Sequence, residues 1–272
     1  MQFGTPEQQR FLTPMLRGDV IWSQGMSEPD AGSDLASLRT LAVADGDHFV
    51  VTGQKTWNSL GHHADMCQLY VRTDADAPKH KGITCFLVDL HSAGVEARPL
   101  TTITGQSEFA ELFLDGLRIH RSAMLGALHQ GWTVAMTTLS HERAGVARLH
   151  LGLSNRIDDL LADPRARAAL RQSHHRDRFM RVYSEIRCMA LLTERSLADT
   201  NAHGGAGGSL AKLLWANCEQ SLASLAVDLI GLDALGDHWA ANLLMARQCS
   251  IAGGTSEINH NIIGEHVLGL PR

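Results

Sequence analysis

Hydrophobic and polar residues follow two different periods along this chain, and the change falls near residue 128. Between residues 20 and 127 they alternate every two residues, in short runs separated by turn-forming residues. Such runs predict β-strands, of which the clearest are 48–52, 68–72, 83–88 and 110–114. Short strands at this spacing indicate an antiparallel β-barrel or β-sandwich.

The residues after 127 predict a helical domain instead. They are rich in Ala, Leu, Arg and Glu, and only Pro164 and Pro271 interrupt them. Asp163 before Pro164 is typical of a helix N-cap, and the glycine-rich segment 204–208 followed by Ser209 predicts a break and a second N-cap. We therefore predict long helices at 131–161, 164–202 and 209–231, followed by shorter ones. The fold class is α+β.

Composition and charge exclude several classes of protein. The 272 residues are 44% hydrophobic, which is enough for a substantial core, and their formal net charge is −5. A mildly acidic chain has no basic surface for nucleic acid or an anionic membrane, so we expect neither as a partner. No apolar run reaches the roughly 18 residues of a membrane-spanning helix. Five widely spaced cysteines without a C-x-x-C pair indicate a reduced, cytoplasmic protein, and the 15 histidines match no metal-ligand spacing, so we expect no metal site.

One carboxylate falls within the apolar stripe of the predicted helix 131–161. At about 100° per residue, Glu142 lies between Leu149 and Leu153 on the apolar face. Burial there predicts a desolvated carboxylate with a raised pKa, suited to act as a general base. The alternative is a buried structural ion pair. Gly145, one turn later, removes a side chain beside Glu142 and would suit an approaching ligand.

Two glycine-bearing loops, one in each half, are candidate anion sites. In the loop 27–34, Gly32 permits a positive φ, and Ser33 and Asp34 are candidate caps of a short helix at 35–38. The second loop, 252–257, leads into another helix N-terminus. Each loop is also compatible with an ordinary turn. Neither contains a Rossmann or P-loop fingerprint.

Three motifs in this order resemble the acyl-CoA dehydrogenase family, over essentially the whole chain. They are 26–34 (MSEPDAGSD), 53–59 (GQKTWNS) and 253–258 (GGTSEI). The resemblance implies an N-terminal helical domain, of which residues 1–19 would be a remnant, a central β-domain at 20–127 and a C-terminal four-helix-bundle domain at 128–272. It also implies FAD, bound between the last two domains and across a subunit interface.

The resemblance assigns cofactor contacts by position. Met26 and Ser27 would lie along the isoalloxazine ring, with the Ser27 hydroxyl as a donor near its reactive edge. Trp57 and Ser59 would cover the other side of the ring, although Trp57 is alternatively a core aromatic residue and Ser59 a strand-end serine. The remaining implied contacts are Gly32, Ser33 on pyrophosphate or CoA, Thr255 on the flavin diphosphate, and Glu257.

The implied catalytic base departs from the arrangement of many family members. In those members a glutamate precedes the Gly-Thr of the C-terminal loop, but here that position is Gly253, which cannot remove a proton. Other members place the base on the helix that corresponds to 131–161, before an arginine, and Glu142 followed by Arg143 matches them. The resemblance thus implies Glu142 as the base, Arg143 as a substrate contact and the Gly253 N–H as a donor to the thioester carbonyl.

The implied reaction is α,β-dehydrogenation of an acyl-CoA thioester to the trans-2-enoyl-CoA. Glu142 would remove the α-proton while the β-hydrogen leaves as hydride to the flavin N5, and electron transfer flavoprotein is the implied oxidant.

Two parts of the family pattern are absent from the sequence. The N-terminal helical domain is missing before Met1, and an Arg-x-x-Phe-Gly segment that would hold a neighbouring subunit's FAD is not evident in 165–184. We therefore expect either a truncated start or a partner chain in a homo- or hetero-oligomer. Two other functions stay open: a catalytically inactive partner of a heteromeric acyl-CoA dehydrogenase, and a flavin monooxygenase of related fold.

Overall fold

The computed structural model describes residues 2–145, 149–198 and 206–271. It forms two compact units, Met1–Thr137 and Thr138–Arg272. The described part of the first unit contains a short helix, α1 (Leu12–Arg17), and one sheet. The strands of that sheet are β1 (Trp22–Gly25), β2 (Leu41–Asp45), β3 (His48–Ser59), β4 (Met66–Arg72), β5 (Ile83–Asp89), β6 (Val95–Leu100) and β7 (Phe109–His120).

The sheet is mixed, with the strand order β1-β4-β2-β3-β7-β6 and with β5 paired to β4. The pairs β2/β3, β3/β7, β4/β5 and β6/β7 are antiparallel, as the alternating pattern predicts. The prediction that the strands are antiparallel is wrong at one edge of the sheet, because β1 runs parallel to β4, with Trp22 opposite Met66. Parallel neighbours cannot be joined by a hairpin, and here the connection includes the whole β2/β3 hairpin.

Apolar side chains cover both faces of the sheet at β4 and β5. Leu69 and Val71 belong to a cluster with Phe86 on one face, whereas Tyr70 and Cys85 belong to a cluster on the other. Successive residues of a strand point to opposite faces, so these strands are apolar at almost every position rather than at alternate ones. The second cluster also contains Val134 and Ala135 from the helix that follows the sheet.

The remaining helices follow the sheet in the sequence. They are α2 (Gly131–Gly145), α3 (Leu149–Ala162), α4 (Pro164–Ala169), α5 (Ser173–Ala198), α6 (Ala206–Ile230), α7 (His238–Met245) and α8 (Ser256–His266). Leu153, Ile157 and Leu160 of α3 form the core of the second unit together with apolar residues of α5, α6 and α7. Their three- and four-residue spacing matches the helical period of the sequence.

The predicted helix bounds need two corrections. The described parts of the predicted helix 131–161 are α2 and α3, and residues 146–148 lie outside the described residues. The predicted helix 164–202 is two helices, because α4 ends at Ala169 and α5 begins at Ser173. Ser209 is not an N-cap: α6 begins at Ala206, and the Ser209 hydroxyl is buried without a hydrogen-bond partner among the described residues. Gly204 and Gly205 of the predicted break lie outside the described residues.

The predicted cap at Asp163 is confirmed, and it carries a testable consequence. Its carboxylate accepts the Arg165 N–H at 2.8 Å, with Pro164 at the first helical position, and it also binds the Arg165 guanidinium. Chiefly through that side-chain bond, Arg165 lowers the pKa of Asp163 to about 2. We expect Asp163→Ala to lower the free energy of unfolding by about 1 to 2 kcal/mol in urea titrations at pH 7.

The same variant has a pH signature with a defined sign. Because the folded-state pKa of Asp163 is depressed, its contribution is complete above pH 4 and is lost as the pH falls toward 2. The difference in unfolding free energy between wild type and Asp163→Ala should therefore shrink between pH 4 and pH 2. A constant difference over that interval would show that the carboxylate does not act through its charge.

Three further observations bear on environment and chemistry. Within the described residues, no helix is long and apolar enough to cross a membrane. The same residues include no cluster of three or more His, Cys, Asp or Glu side chains able to hold a metal ion. All five cysteines are free thiols, and burial raises the pKa of Cys67 to about 12.

Candidate functional site

The first group of predicted site residues lies where β1 ends beside β3. Met26 and Ser27 directly follow β1, and both are half-buried. The Thr56 N–H donates to the Ser27 carbonyl at 2.9 Å, which fixes the backbone of Ser27 against β3. The Ser27 hydroxyl makes no hydrogen bond with any described residue. A positioned, partly exposed hydroxyl is therefore available to a ligand.

Trp57 combines a positive φ with an exposed aromatic side chain. Its φ is +61°, in the left-handed region, and its side chain is 60% exposed although it follows the buried residues Lys55 and Thr56 of β3. The β3/β7 register shifts between Lys55 and Asn58, so Trp57 lies in an irregularity that turns its side chain outward. Positive φ is strained for a bulky residue, and strain of this kind is concentrated at functional sites.

The outward position of Trp57 corrects one alternative and leaves an aromatic surface. Trp57 is not a core aromatic residue; within the described residues its ring contact is with Phe109, edge-to-face at 5.8 Å between centroids. Because Thr56 is bonded to Ser27, the indole and the free Ser27 hydroxyl lie on adjoining backbone segments. The structure thus brings two of the predicted contacts together.

Side-chain bonds from β1 and β3 hold the end of β3 in place. The Ser23 hydroxyl donates to the Ser59 carbonyl at 3.0 Å, and the Asn58 side-chain amide donates to the Gln24 carbonyl at 2.7 Å. Asn58 is fully buried, and its Oδ1 atom has no hydrogen-bond partner among the described residues. Ser59 itself is exposed, as a ligand contact at this edge requires.

A buried ion pair lies beneath the Met26–Ser27 backbone. Lys55 Nζ lies 2.8 Å from Glu28 Oε1, with side-chain exposures of 0% and 8%. Lys55 also donates to the Met26 carbonyl at 3.1 Å, and the Glu28 carboxylate accepts the N–H groups of Arg39 and Thr40 at 2.6 and 2.9 Å. The pair therefore ties both ends of the 28–40 loop to β3.

Burial disfavours the charged form of both members of this pair, but hydrogen bonds and neighbouring charges offset it to different extents. Burial raises the pKa of Glu28, but the Lys55 charge and the N–H donors outweigh it and place that pKa below its ordinary value. Burial lowers the pKa of Lys55, and the charge and hydrogen bond of Glu28 offset this only in part. Glu28 has additional donors that favour its charged form, whereas Lys55 has no second carboxylate among its hydrogen-bond partners.

The loop 27–34 only partly matches its prediction. Gly32 and Ser33 are exposed, but Gly32 does not have a positive φ, and an added Cβ there would meet no atom within 4 Å. Nor does Asp34 cap the short 3₁₀ turn Leu35–Ser37: its carboxylate accepts the Ser37 hydroxyl at 2.5 Å and pairs with Lys79 at 2.8 Å. The predicted phosphate contacts of Gly32 and Ser33 stay predictions.

The second loop leads into α8, as predicted. Gly253 and Gly254 have φ of +69° and +91°, values that favour glycine, and Thr255 caps the helix by accepting the Ile258 N–H at 3.3 Å. Hydrogen bonds lower the pKa of Glu257. The larger effect comes from its own backbone N–H and the smaller one from the Thr255 hydroxyl. The N–H groups of Gly253, Gly254 and Thr255 make no hydrogen bond with any described residue.

Behind this loop lies a lysine that the sequence analysis did not select. Lys212 of α6 is 2% exposed and donates to the Gly254 carbonyl at 2.8 Å. The Asn259 side-chain amide donates to the same carbonyl at 2.9 Å and to that of Thr255 at 2.9 Å. Two buried side chains therefore hold the acceptor side of the loop and leave its N–H groups uncommitted.

The predicted burial of Glu142 is wrong. Glu142 lies near the end of α2 and is exposed in this chain, so the protein's own apolar stripe does not desolvate its carboxylate. The helical period of 131–161 predicts one apolar face, but Trp132, Met136 and Leu139 of that face are themselves only half-buried. The side chain of Arg143 lies outside the described residues, and its role as a substrate contact stays a prediction.

The motifs did not single out Lys55 or Lys212 as site residues, but the sequence indicates both by a charge on an otherwise apolar face. Lys55 has the same parity along β3 as the buried Phe49 and Val51, so a lysine occurs on an apolar strand face. Lys212 precedes Ala216, Ala223 and Ala226 at helical spacing, in a row whose other members are small or apolar except Glu219. In both cases a lysine stands at the spacing of buried residues, and this pattern predicts a buried charge.

Comparison with known proteins assigns both units to one family. The family model described as "Acyl-CoA dehydrogenase, middle domain" matches residues 23–117, and the one described as "Acyl-CoA dehydrogenase, C-terminal domain" matches residues 129–268. The chain is 40% identical to the acyl-CoA dehydrogenase IpdE1 of Mycobacterium tuberculosis, over 99% of this chain and 72% of that protein. It is 41% identical to FadE34 of the same organism, over 100% of this chain and 38% of that protein.

Solved structures show the same architecture. The structure titled "Tcur3481-Tcur3483 steroid ACAD" superposes with a TM-score of 0.93 at 30% identity, over 100% of this chain and 74% of that chain. The ChsE4-ChsE5 complex from Mycobacterium tuberculosis gives 0.84 at 28% identity, over 100% and 75%. This chain belongs to the acyl-CoA dehydrogenase family, flavoprotein oxidoreductases that act on CH–CH bonds. The resemblance inferred from the three motifs is confirmed.

Proposed function

We propose that this chain catalyses FAD-dependent α,β-dehydrogenation of an acyl-CoA thioester to the trans-2-enoyl-CoA. Family membership supports the reaction class, and the observation that carries the cofactor assignment is Trp57. An exposed indole on strained backbone, beside an uncommitted Ser27 hydroxyl, is the surface that a planar, hydrogen-bonding ring requires. FAD, when bound, supplies the hydride acceptor at its N5 atom.

The residues of the first unit fit a flavin in chemistry as well as in placement. Trp57 offers an aromatic face, Ser27 a hydroxyl donor, and Met26 and Ser59 partly exposed neighbours of these two. The Lys55–Glu28 pair and the Asn58 amide hold this surface without taking up the Ser27 hydroxyl. We assign Gly32 and Ser33, which are exposed on the loop 27–34, to the pyrophosphate or CoA part of the ligands.

The second unit supplies the groups for proton removal. We propose that Glu142 removes the α-proton and that the Gly253 N–H, which no described residue engages, donates to the thioester carbonyl. Because Glu142 is exposed in this chain, we assign its desolvation to the bound thioester, which would exclude water from the carboxylate. Thr255 and Glu257 at the start of α8 are the further cofactor contacts, and Arg143 a substrate contact.

Assembly and oxidant complete the proposal. Two structural relatives are titled as pairs of proteins, and on this ground we propose that the chain acts as a homo- or hetero-oligomer. We propose electron transfer flavoprotein as the oxidant. We also propose a domain boundary at residues 127/128, with a four-helix-bundle domain after it. A steroid-derived thioester is included in the substrate panel because one structural relative is titled a steroid ACAD.

The visible spectrum of the purified protein tests the function directly. We expect a yellow protein whose flavin absorbance is bleached anaerobically by one member of a panel of short-chain, branched, aromatic and steroid acyl-CoA thioesters, and is slowly restored by oxygen. A colourless protein that fails to take up added FAD would favour the inactive partner chain. Rapid reoxidation by oxygen with a hydroxylated product would favour the monooxygenase.

Trp57→Gly separates strain from function. Glycine relieves the positive φ, worth about 1 to 3 kcal/mol, while the edge-to-face contact with Phe109, worth about 0.5 to 1.5 kcal/mol, is lost. We therefore expect the free energy of unfolding to stay within about 1 kcal/mol of wild type or to rise, and FAD affinity to fall at least about tenfold.

The matched control is Leu60→Gly, a second exposed residue with positive φ, of +52°. It should show the relief of strain without the loss of FAD affinity. Unfolding in urea and fluorescence titration with FAD measure the two effects. Unchanged FAD affinity in Trp57→Gly would remove the indole from the cofactor site.

A further inference from the structure

Lys212 is a buried charge of the second unit that the proposed dehydrogenation does not yet use. The residue is 2% exposed, and its ammonium donates to the neutral Gly254 carbonyl at 2.8 Å and makes no ion pair with any described residue. Burial lowers the pKa of Lys212, because desolvation disfavours the charged form. An ammonium buried against a neutral acceptor costs stability, so folding gives no reason for a lysine at this position.

The groups around Lys212 compensate its charge only in part. The Cys249 thiol is kept neutral by burial, which raises its pKa to about 11. The Glu257 charge favours the ammonium form of Lys212, but the net pKa of Lys212 stays below its ordinary value, and the two side chains form no ion pair. The positive charge is therefore available to a negative charge that arises beside the loop.

The acceptor of Lys212 belongs to a peptide unit with free donors. The Gly254 carbonyl is in the same peptide group as the Thr255 N–H, and neither this N–H nor those of Gly253 and Gly254 bond to any described residue. The Asn259 amide donates to the same carbonyl at 2.9 Å. A charge-assisted hydrogen bond to a carbonyl polarises its peptide group, which makes the N–H on the other side a stronger donor.

We propose that Lys212 is a positioning residue: through the Gly254 carbonyl its ammonium holds the 253–255 loop so that the Gly253 N–H donates to the thioester oxygen, and it polarises the peptide group whose N–H belongs to Thr255. This inference rests on the proposed function, in which the Gly253 N–H donates to that oxygen. Removal of the α-proton by Glu142 transfers electron density toward the thioester oxygen, and preorganised donors act most strongly on charge that develops in the transition state. The buried charge thus costs stability in the resting protein and lowers the barrier of the reaction.

Two variants separate the charge of Lys212 from its hydrogen bond. Lys212→Met removes both, and Lys212→Gln keeps a neutral donor. We expect the melting temperature of Lys212→Met to be no lower than that of wild type, since a buried charge that forms no ion pair with any described residue is removed. We expect the Thr255 amide proton resonance to move upfield in both variants, in spectra recorded without cofactor or substrate.

The rate of flavin reduction tests the same role of Lys212. In both variants the rate of flavin reduction at saturating acyl-CoA should fall about tenfold or more, with less than about a twofold change in KM, because the lost effect acts on the transition state. Leu222→Ala, a truncation of a buried residue of the same helix, is the control: it should lower the melting temperature and leave the Thr255 resonance unchanged.

Three results would overturn the role of Lys212. They are a wild-type reduction rate in Lys212→Gln, an unshifted Thr255 resonance in both variants, or a melting-temperature loss in Lys212→Met like that of Leu222→Ala. Failure of the proposed function looks different: no thioester of the panel would then reduce the wild-type flavin. In that case an upfield Thr255 resonance would still support polarisation by Lys212, and an unshifted one would still refute it.

Discussion

Lys55→Met will lower the free energy of unfolding by about 3 to 5 kcal/mol, because it leaves the Glu28 carboxylate buried without its cation. The variant also loses the bond from Lys55 to the Met26 carbonyl. Urea titration followed by far-ultraviolet circular dichroism measures the loss. Because Glu28 holds the N–H groups of Arg39 and Thr40, we expect hydrogen exchange across 26–40 to accelerate more than that of β4 and β5.

The double variant Glu28→Leu/Lys55→Met identifies the cause. Removing both charges takes away the buried, unpaired carboxylate but leaves the N–H groups of Arg39 and Thr40 without their acceptor, so we expect the double variant to regain part of the stability lost by Lys55→Met. Asp45→Asn, which breaks the exposed pair between Asp45 of β2 and Arg118 of β7, is the matched control and should cost less than about 1 kcal/mol. A double variant as unstable as Lys55→Met would show that packing of the lysine chain, and not charge pairing, dominates.

The pH dependence of the unfolding free energy tests the Glu28–Lys55 pair independently. The pKa of Glu28 is below its ordinary value of 4.5 in the folded protein, so its contribution to stability is present above that value and is lost as the pH falls below it. Wild type should thus lose more unfolding free energy between pH 5 and pH 3 than Glu28→Leu/Lys55→Met does. An equal loss in the two proteins would assign the acid sensitivity to other carboxylates.

Glu142→Gln has the largest expected effect on activity. Glutamine keeps the size and hydrogen-bonding capacity of the side chain but cannot accept the α-proton, so flavin reduction by acyl-CoA should slow about a thousandfold. Because Glu142 is exposed and lies on the helical unit, we expect FAD affinity and melting temperature to stay at wild-type values. Anaerobic stopped-flow spectroscopy with the preferred thioester measures the rate.

Glu194→Gln provides the control for this experiment. Glu194 is an exposed glutamate of α5 in the same unit, and its replacement should leave the reduction rate unchanged. If Glu142→Gln is reduced as fast as wild type, another base removes the proton. Since Gly253 occupies the loop position at which many family members carry the glutamate, that result would transfer the search for a base to another chain of the oligomer.

Local patterns predicted much of the secondary structure and the identity of the motif residues. The predicted strand runs 48–52, 68–72, 83–88 and 110–114 lie within β3, β4, β5 and β7, and the Asp163 cap is where the sequence predicts it, because both depend on residues close in sequence. The break between α4 and α5 was missed, because no proline or glycine occurs at 170–172. The helical wheel placed Glu142 on an apolar face, but a wheel gives direction only and does not show whether anything covers that face.

The sequence by itself determined the family, the division into strands followed by helices, and which residue types stand at the motif positions, since these follow from short-range periodicity and residue chemistry. Only the tertiary structure decided the parallel pairing of β1 with β4, the exposure of Trp57 and Glu142, and the partners of the buried residues Lys55 and Lys212. The physical reason is that burial and charge compensation depend on which distant segments pack together. Lys55 meets Glu28, 27 residues away, and Lys212 meets Gly254, 42 residues away, and no local period contains either distance.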